Sequence, residues 1–224
     1  MPPSAPSPES FIPFPTGRSG ELADLRDDPF PSTFARWEGQ AVLPSGATHF
    51  LFVETETSIE FEGQRHRAAA GMYLSLPGPA TLTGGRGVIT SRHAYDGFFV
   101  LGGPVEEYGR LRYIDGCTDS LLIPPVMLGD PCLNLLHIPP GTRQTRHTHP
   151  SFRSGLILSG HGECVTPTAS HPLSPGLAFL IPAGALHSFH TGEEALRVIA
   201  FHPDSDFGPT HESHPMVNRT ILPN

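Results

Sequence analysis

The stretch Gly141-Thr142-Arg143-Gln144-Thr145-Arg146-His147-Thr148-His149 decides how this chain folds and where its chemistry lies. Successive side chains of an extended strand point to opposite faces, so His147 and His149 share a face. On a strand they stand about 7 Å apart, close enough to converge on one ion. A third ligand has to come from elsewhere. His187 follows Pro182-Ala183-Gly184, a turn signal that ends one strand and begins another. A lone His-x-His is weak evidence. Joined to the second segment, which opens at Gly176, it points to one metal held by His147, His149 and His187 inside a small β-barrel.

These residues resemble the two motifs of the cupin superfamily. In the first motif, Gly141, His147, His149 and Gly160 stand at the family's spacing. In the second, Gly176, Pro182, Gly184 and His187 do so. Two positions depart from the pattern. The glutamate of the first motif, normally the fourth metal ligand, is replaced by Arg153, or by Ser154 in the longer spacing. The closing asparagine of the second motif is Thr191. The resemblance implies an all-β chain of double-stranded β-helix, or jelly-roll, barrels, with a three-histidine metal site. Three neutral imidazoles suit one divalent transition metal; Fe(II) is favoured, and Zn, Ni, Cu or Mn are compatible. The implied activity is that of three-histidine cupin dioxygenases acting on thiols, β-diketones or gentisate-like aromatics. In such enzymes an arginine often holds a substrate carboxylate. Arg153, in phase with Gly155 and Ile157, should face the barrel interior, where a guanidinium needs an anionic partner. No acidic residue is its neighbour in sequence, so a substrate anion is one candidate partner. A carboxylate from elsewhere in the fold is the other.

The composition agrees with many short strands and turns. Hydrophobic residues make up 38% and charged residues 16% of the 224, with 26 Pro and 24 Gly. No long stretch shows helical apolar periodicity. All 14 basic residues are arginine, which excludes Schiff-base chemistry on a lysine and a P-loop lysine. The formal net charge of −8 speaks against a nucleic-acid partner. Cys117, Cys132 and Cys164 form no CxxC pair and are too few for a disulfide framework. The start of the chain, Met1 to Pro15, is rich in Pro and Ser and has no basic start followed by an apolar run. With no apolar stretch of membrane-spanning length, a cytoplasmic protein with no membrane partner is expected.

The chain also carries a sign of internal duplication. Gly71-Met72-Tyr73-Leu74-Ser75-Leu76-Pro77 and Gly176-Leu177-Ala178-Phe179-Leu180-Ile181-Pro182 both read Gly, five mostly apolar residues, Pro. At this offset His147, His149 and His187 fall on Val42, Pro44 and Leu82, none of which can bind a metal. His49 to Val53 has the look of the strand Gly155 to Ser159. The chain then divides into an N-terminal arm (1–38, with a short helical turn at Glu21 to Arg26), a degenerate barrel filled by apolar side chains (39–105), a linker (106–128), the metal-binding barrel (129–203) and a tail (204–224). Strands are expected around 49–54, 57–62, 72–76, 87–92, 97–101 and 110–114, and then 132–138, 145–149, 154–159, 162–166, 177–181, 186–190 and 195–201.

Other residues have bland readings beside sharper ones. His190, three residues after His187, should point to the opposite face. Gln144 would line the rim of the site or be solvated. His202, Asp204, Asp206, His211 and His214 could form a second cation site, although Asp, Ser, Pro and Gly are ordinary turn formers. Cys164 reads as a buried, inert thiol, and His137 as structural. Phe152, Phe179, Phe189 and Phe201 should build the core or the wall of an apolar pocket.

Two function classes follow. One is an enzyme, a mononuclear non-haem iron oxygenase or dioxygenase acting on a small anionic organic substrate oriented by Arg153. A Zn or Ni isomerase or hydrolase is its variant. The other is a small-molecule-binding or sensor cupin without turnover. The resemblance also makes a homodimer an expected assembly, because cupins commonly pair through strands.

Overall fold

The structure, a computed structural model, describes residues 10–217 and 220–221. Residues 1–9 of the expected arm, and 218–219 and 222–224 of the expected tail, lie outside them. In chain order the first half holds β1 (Ile12–Phe14), β2 (Gly20–Leu25), β3 (Ser32–Leu43), β4 (Ala47–Thr55), β5 (Thr57–Phe61), β6 (Gln64–Ala68), β7 (Tyr73–Pro77), β8 (Ala80–His93) and β9 (Val100–Gly102). Then come β10 (Leu111–Arg112), a 3-10 turn (Ile114–Gly116), β11 (Thr118–Ile123) and β12 (Cys132–Ile138). The chain ends with β13 (Arg153–Ser159), β14 (Gly162–Val165), β15 (Ser170–Leu173), β16 (Ala178–Ile181), β17 (Ser188–Thr191) and β18 (Leu196–His202). The all-β expectation holds, and no helix among the described residues is long and apolar enough to cross a membrane.

Three sheets form. One runs β1-β16-β13-β18-β12-β11-β10, a second β15-β14-β17, and a third β2-β3-β8-β4-β7-β9, with β5 and β6 attached through β8. Alternation along each strand sends side chains to two different cores. On β18, Val198 packs inside the C-terminal barrel with Ile157 and Phe179. Its neighbours Ile199 and Phe201 instead join Phe34, Phe50 and Phe52 of the other half in a shared core between the two large sheets. The N-terminal half has its own interior of Leu43, Leu51, Leu74, Leu82 and Ile89.

The halves repeat one local design. Gly71 N–H donates to Val53 O at 2.8 Å, and Val53 N–H to Met72 O at 2.9 Å. Gly176 N–H donates to Ile157 O at 2.8 Å, and Ile157 N–H to Leu177 O at 2.9 Å. Both glycines have positive φ, 82° and 84°, which suits residues without a Cβ. A register shift follows at the same place in each, between Val53 and Thr55 and between Ile157 and Ser159. These bonds set Val53 against Ile157, so His49 corresponds to Arg153, two residues from the pairing expected from sequence. A slip of two preserves the inward–outward alternation, which is why the hydrophobic pattern could not detect it. Leu82, the counterpart of His187, is fully buried in apolar company; Pro44 is exposed, and Val42 points outward with 73% of its surface exposed.

The strand pairing departs from four expectations. Residues 10–38 are not an arm. Ile12 to Phe14 pairs with β16, and Phe11 lies buried in the interior of the C-terminal barrel. Glu21 to Arg26 is not a helical turn, because β2 pairs along β3 and buries Leu22 in the shared core. So short a helix would leave most of its backbone groups unpaired, whereas the ladder satisfies them. Nor is 106–128 only a linker, since β11 pairs with β12 and buries Leu122 and Ile123. At 145–149 no strand forms; the backbone makes an isolated bridge, His147 with His187.

Candidate metal centre and its cavity

The bridge that replaces a strand at 145–149 is what brings the histidines together. His147 N–H donates to His187 O, and His187 N–H to His147 O, each at 3.0 Å. Gly184 N–H donates to His149 O at 2.8 Å, tying the second motif to the first. His147, His149 and His187 each offer a ligand atom, all within 4.8 Å of one another. Ring centroids lie 4.6 Å apart for His147 and His187, 5.0 Å for His147 and His149, and 5.2 Å for His149 and His187.

The backbone also selects the tautomer of two rings. His147 Nδ1 faces Thr145 O at 2.8 Å, and His187 Nδ1 faces Ala185 O at 2.9 Å. A carbonyl only accepts, so each Nδ1 carries the hydrogen, and each Nε2 keeps its lone pair. Carbonyl partners of this kind orient metal-ligating histidines. Burial, with the Arg153 charge, pushes His149 down to about 3. Burial likewise pushes His187 down to about 4, against its Ala185 hydrogen bond. Both rings are thus neutral near pH 7, the form that ligates. The donor set, spacing and tautomers fit one transition-metal ion.

The cluster opens into a cavity of about 330 Å³. Its walls are largely apolar, with Phe179, Ile181, Phe189, Val198 and Phe207 among them. Arg153 lies on this wall, 8% exposed. Its Nη1 makes three hydrogen bonds, to Ser151 Oγ (2.6 Å), Phe152 O (2.8 Å) and Ser151 O (3.1 Å), and its buried Nε has no partner among the described residues. The acidic partner that was not apparent nearby in sequence is Asp204, 3.9 Å from Nη1 and bonded to Ser151 Oγ. The stretch read as a tail therefore begins inside the site. Ser205 is also buried, and its hydroxyl donates to Asp130 O.

His202, one of the residues that could have formed a tail cation site, lines this cavity. It pairs with Cys132 at the end of β18, and its ring lies 6.2 Å from that of His149. Burial, with help from Arg153 and His149, holds it well below the ordinary histidine range. Its position two residues past Ala200 on an alternating strand was the available signal. Among the described residues, His147, His149 and His187 are the one group close enough to hold an ion, so the tail residues do not assemble. Gln144 lines the cavity and is not solvated. It is 3% exposed, and its Oε1 accepts Phe189 N–H at 3.1 Å.

Sequence reasoning also missed Asp119 and Asn134, both on the cavity wall. Asn134 Nδ2 donates to Asp119 Oδ2 at 3.2 Å. Burial raises the Asp119 carboxyl to about 6, although that hydrogen bond opposes it. His190 points to the outer face as expected, with Nδ1 3.1 Å from Arg143 Nη1. Cys164 is fully buried, and burial pushes its thiol up to about 12. His137 is buried and packs edge-on against Tyr108.

Residues 134–202, which hold all three histidines, match the family model of the Cupin domain. The fold is similar to that of a putative glyoxylate-induced protein from Pseudomonas aeruginosa, at 16% identity and TM-score 0.65 over 90% of this chain and 91% of that one. It is similar to a salicylate 1,2-dioxygenase variant from Pseudoaminobacter salicylatoxidans in complex with gentisate, at 13% identity and TM-score 0.60 over 84% and 76%. A third likeness is to oxalate decarboxylase from Bacillus subtilis, a protein with Mn(II) centres, at 10% identity and TM-score 0.53 over 88% and 78%. At such identities the likeness is one of fold alone. A comparison with curated proteins finds no match. The family match is to residues 134–202, and the likeness over the rest of the chain is in fold.

Proposed function

We propose that this protein is a metal-dependent cupin enzyme, a mononuclear non-haem iron oxygenase or dioxygenase acting on a small anionic organic substrate. The observation that carries the reading is the convergence of three imidazoles at the head of an apolar cavity that also holds a buried arginine. His147, His149 and His187 would hold the ion. A bound Fe(II) supplies open coordination positions and redox capacity toward dioxygen.

The chain's own residues do the rest. Arg153, on the cavity wall, attracts and orients an anion through its charge. Asp204 and Ser151 hold the guanidinium in place. Phe179, Ile181 and Val198 exclude water and so strengthen each polar contact made inside. His202 stays neutral and offers an imidazole to hydrogen-bond the bound ligand. The N-terminal half, with Leu82 at the place of a ligand, acts as a degenerate partner barrel whose role is packing.

The test is metal analysis of purified protein, followed by dioxygen uptake with thiols, β-diketones and hydroxybenzoates. About one transition metal per chain is expected, lost in His147→Ala and His187→Ala. A wild-type protein that holds no metal and cannot be reconstituted with Fe, Zn, Ni, Cu or Mn would refute the assignment. Metal and ligand binding without turnover would make it a sensor, and turnover with Zn or Ni but not Fe an isomerase or hydrolase.

A further inference from the structure

Thr145 lies between two residues that bond to the far side of the barrel. Gln144 N–H donates to Phe189 O at 3.2 Å, and His147 N–H to His187 O at 3.0 Å. The backbone groups of Thr145 go to side chains instead. Its N–H donates to Asp115 Oδ2 at 2.6 Å, and its carbonyl accepts from His147 Nδ1 at 2.8 Å. Its hydroxyl donates to Asp115 Oδ1 at 3.1 Å. Where a strand would have met these groups with a ladder, one carboxyl and one imidazole meet them.

The carboxyl comes from 30 residues upstream, on the 3-10 turn. Asp115 has a φ of 54° there, a left-handed conformation that residues with a Cβ rarely adopt. The turn is closed by Tyr113 N–H on Cys117 O at 2.9 Å and by Cys117 N–H on Ile114 O at 3.0 Å, and Cys117 is buried. The aspartate is thus held at both ends, with both its oxygens on one residue. Thr145 cannot turn its carbonyl away from His147 without breaking two bonds to Asp115. Tyr113, at the start of the same turn, lines the cavity, so this clamp also ties that wall to the ligand loop. His187 is braced differently. The Ala185 carbonyl that faces its Nδ1 belongs to a turn of the same motif, closed by Ala185 N–H on Pro182 O at 3.2 Å.

We infer that Asp115 is a positioning residue for the metal centre: it fixes the Thr145 carbonyl, which fixes the His147 ring and keeps the hydrogen on Nδ1. The inference rests on the metal-centre reading above and deepens it. Asp115 and Thr145 are both exposed, so removing the carboxyl opens no cavity in the core. His187, whose brace does not involve Asp115, is an internal control.

The experiment compares wild type with Asp115→Gly and Asp115→Asn. Glycine removes the carboxyl without straining a left-handed position, and asparagine tolerates that position while keeping an acceptor. NMR of labelled imidazole nitrogens in metal-free protein, in alkaline buffer where the rings are neutral, reports which nitrogen carries the hydrogen. Wild type should show Nδ1–H at both His147 and His187. Asp115→Gly should mix the tautomers of His147 and leave His187 unchanged, and Asp115→Asn should restore His147. Zn(II) affinity, measured against a chromophoric chelator, should fall about tenfold in Asp115→Gly and return to within about twofold of wild type in Asp115→Asn.

An unchanged His147 tautomer or an unchanged Zn(II) affinity in Asp115→Gly overturns the proposal. An equal change at both histidines overturns it too, because that is general loosening. Should Asp115→Gly fail to fold, wild type alone decides. Coupling is reciprocal, so Zn(II) should slow hydrogen exchange of the Thr145 amide about tenfold, and exchange unaffected by Zn(II) overturns the proposal. If wild type binds neither Zn(II) nor another transition metal, the metal-centre reading falls and the positioning role with it. If it binds metal with no dependence on Asp115, only the positioning role falls.

Discussion

The Arg153 guanidinium and the Asp204 carboxylate meet at 3.9 Å on the cavity wall, and the Ser151 hydroxyl bonds to both. Arg153 stands where the cupin pattern carries a glutamate, so this pair sets the charge of the site. The ion pair is long, and the arginine's buried Nε has no partner among the described residues. Arg153 is thus anchored without being saturated.

Removing either partner should separate those roles. Arg153→Ala is expected to weaken binding of a carboxylate ligand about tenfold, with metal content retained. Calorimetry and metal analysis on the same sample check this; loss of metal with intact folding would make Arg153 a support for the histidines. Asp204→Asn leaves a buried cation with less compensation, and should lower stability by about 1–2 kcal/mol in denaturant unfolding. An unchanged unfolding midpoint would show that the pair contributes nothing.

The histidines predict an acid limb in the stability of metal-stripped protein. His149, at about 3, and His187, at about 4, both lie below the ordinary value of 6.5. Between those values the unfolded chain binds more protons than the folded one, so stability falls as pH falls. Their contribution should be fully present above pH 6.5 and lost progressively down to about pH 3. Unfolding midpoints measured across that range, for wild type and His149→Ala, provide the check. Equal slopes in the two proteins would show that His149 does not contribute.

Gly155 is expected to tolerate no side chain. A Cβ there would stand 2.3 Å from Phe179 Cζ and 2.7 Å from Ile199 O. Gly155→Val should cost about 1–3 kcal/mol through overpacking, and drive the Phe179 ring into the cavity. Thermal unfolding and ligand titration would register both effects; wild-type behaviour in both would contradict the packing described.

Gln144 ties the first motif to β17. In Gln144→Leu the Phe189 N–H loses its side-chain acceptor. The expected loss is about 1–3 kcal/mol, with weaker metal retention because His147 lies three residues away. Chemical denaturation and metal analysis after dialysis test this. A stable variant that keeps its metal would place Gln144 outside the support of the site.

Much of the C-terminal barrel was legible in the chain. Each expected strand of that barrel except 145–149 overlaps an observed one, because alternation and turn residues are local signals. The His147, His149 and His187 cluster was legible from two short motifs. The parts missed share a physical cause. The segment around Ile12 to Phe14 is Pro-rich and looked unstructured, yet it closes an edge of the distant C-terminal barrel. Asp119 and Asn134 carry no motif, and their proximity comes from the pairing of β11 with β12.

By itself the sequence determined which residues could ligate a metal, which strands alternate, and that a glutamate is missing from the motif. Those are properties of spacing and residue type, set within a few neighbours along the chain. Tertiary structure alone decided that Asp204 reaches Arg153, that His202 turns into the cavity, and that the Asn134 amide meets Asp119. Each of these depends on burial and on contacts between segments far apart in the chain, which local pattern does not encode.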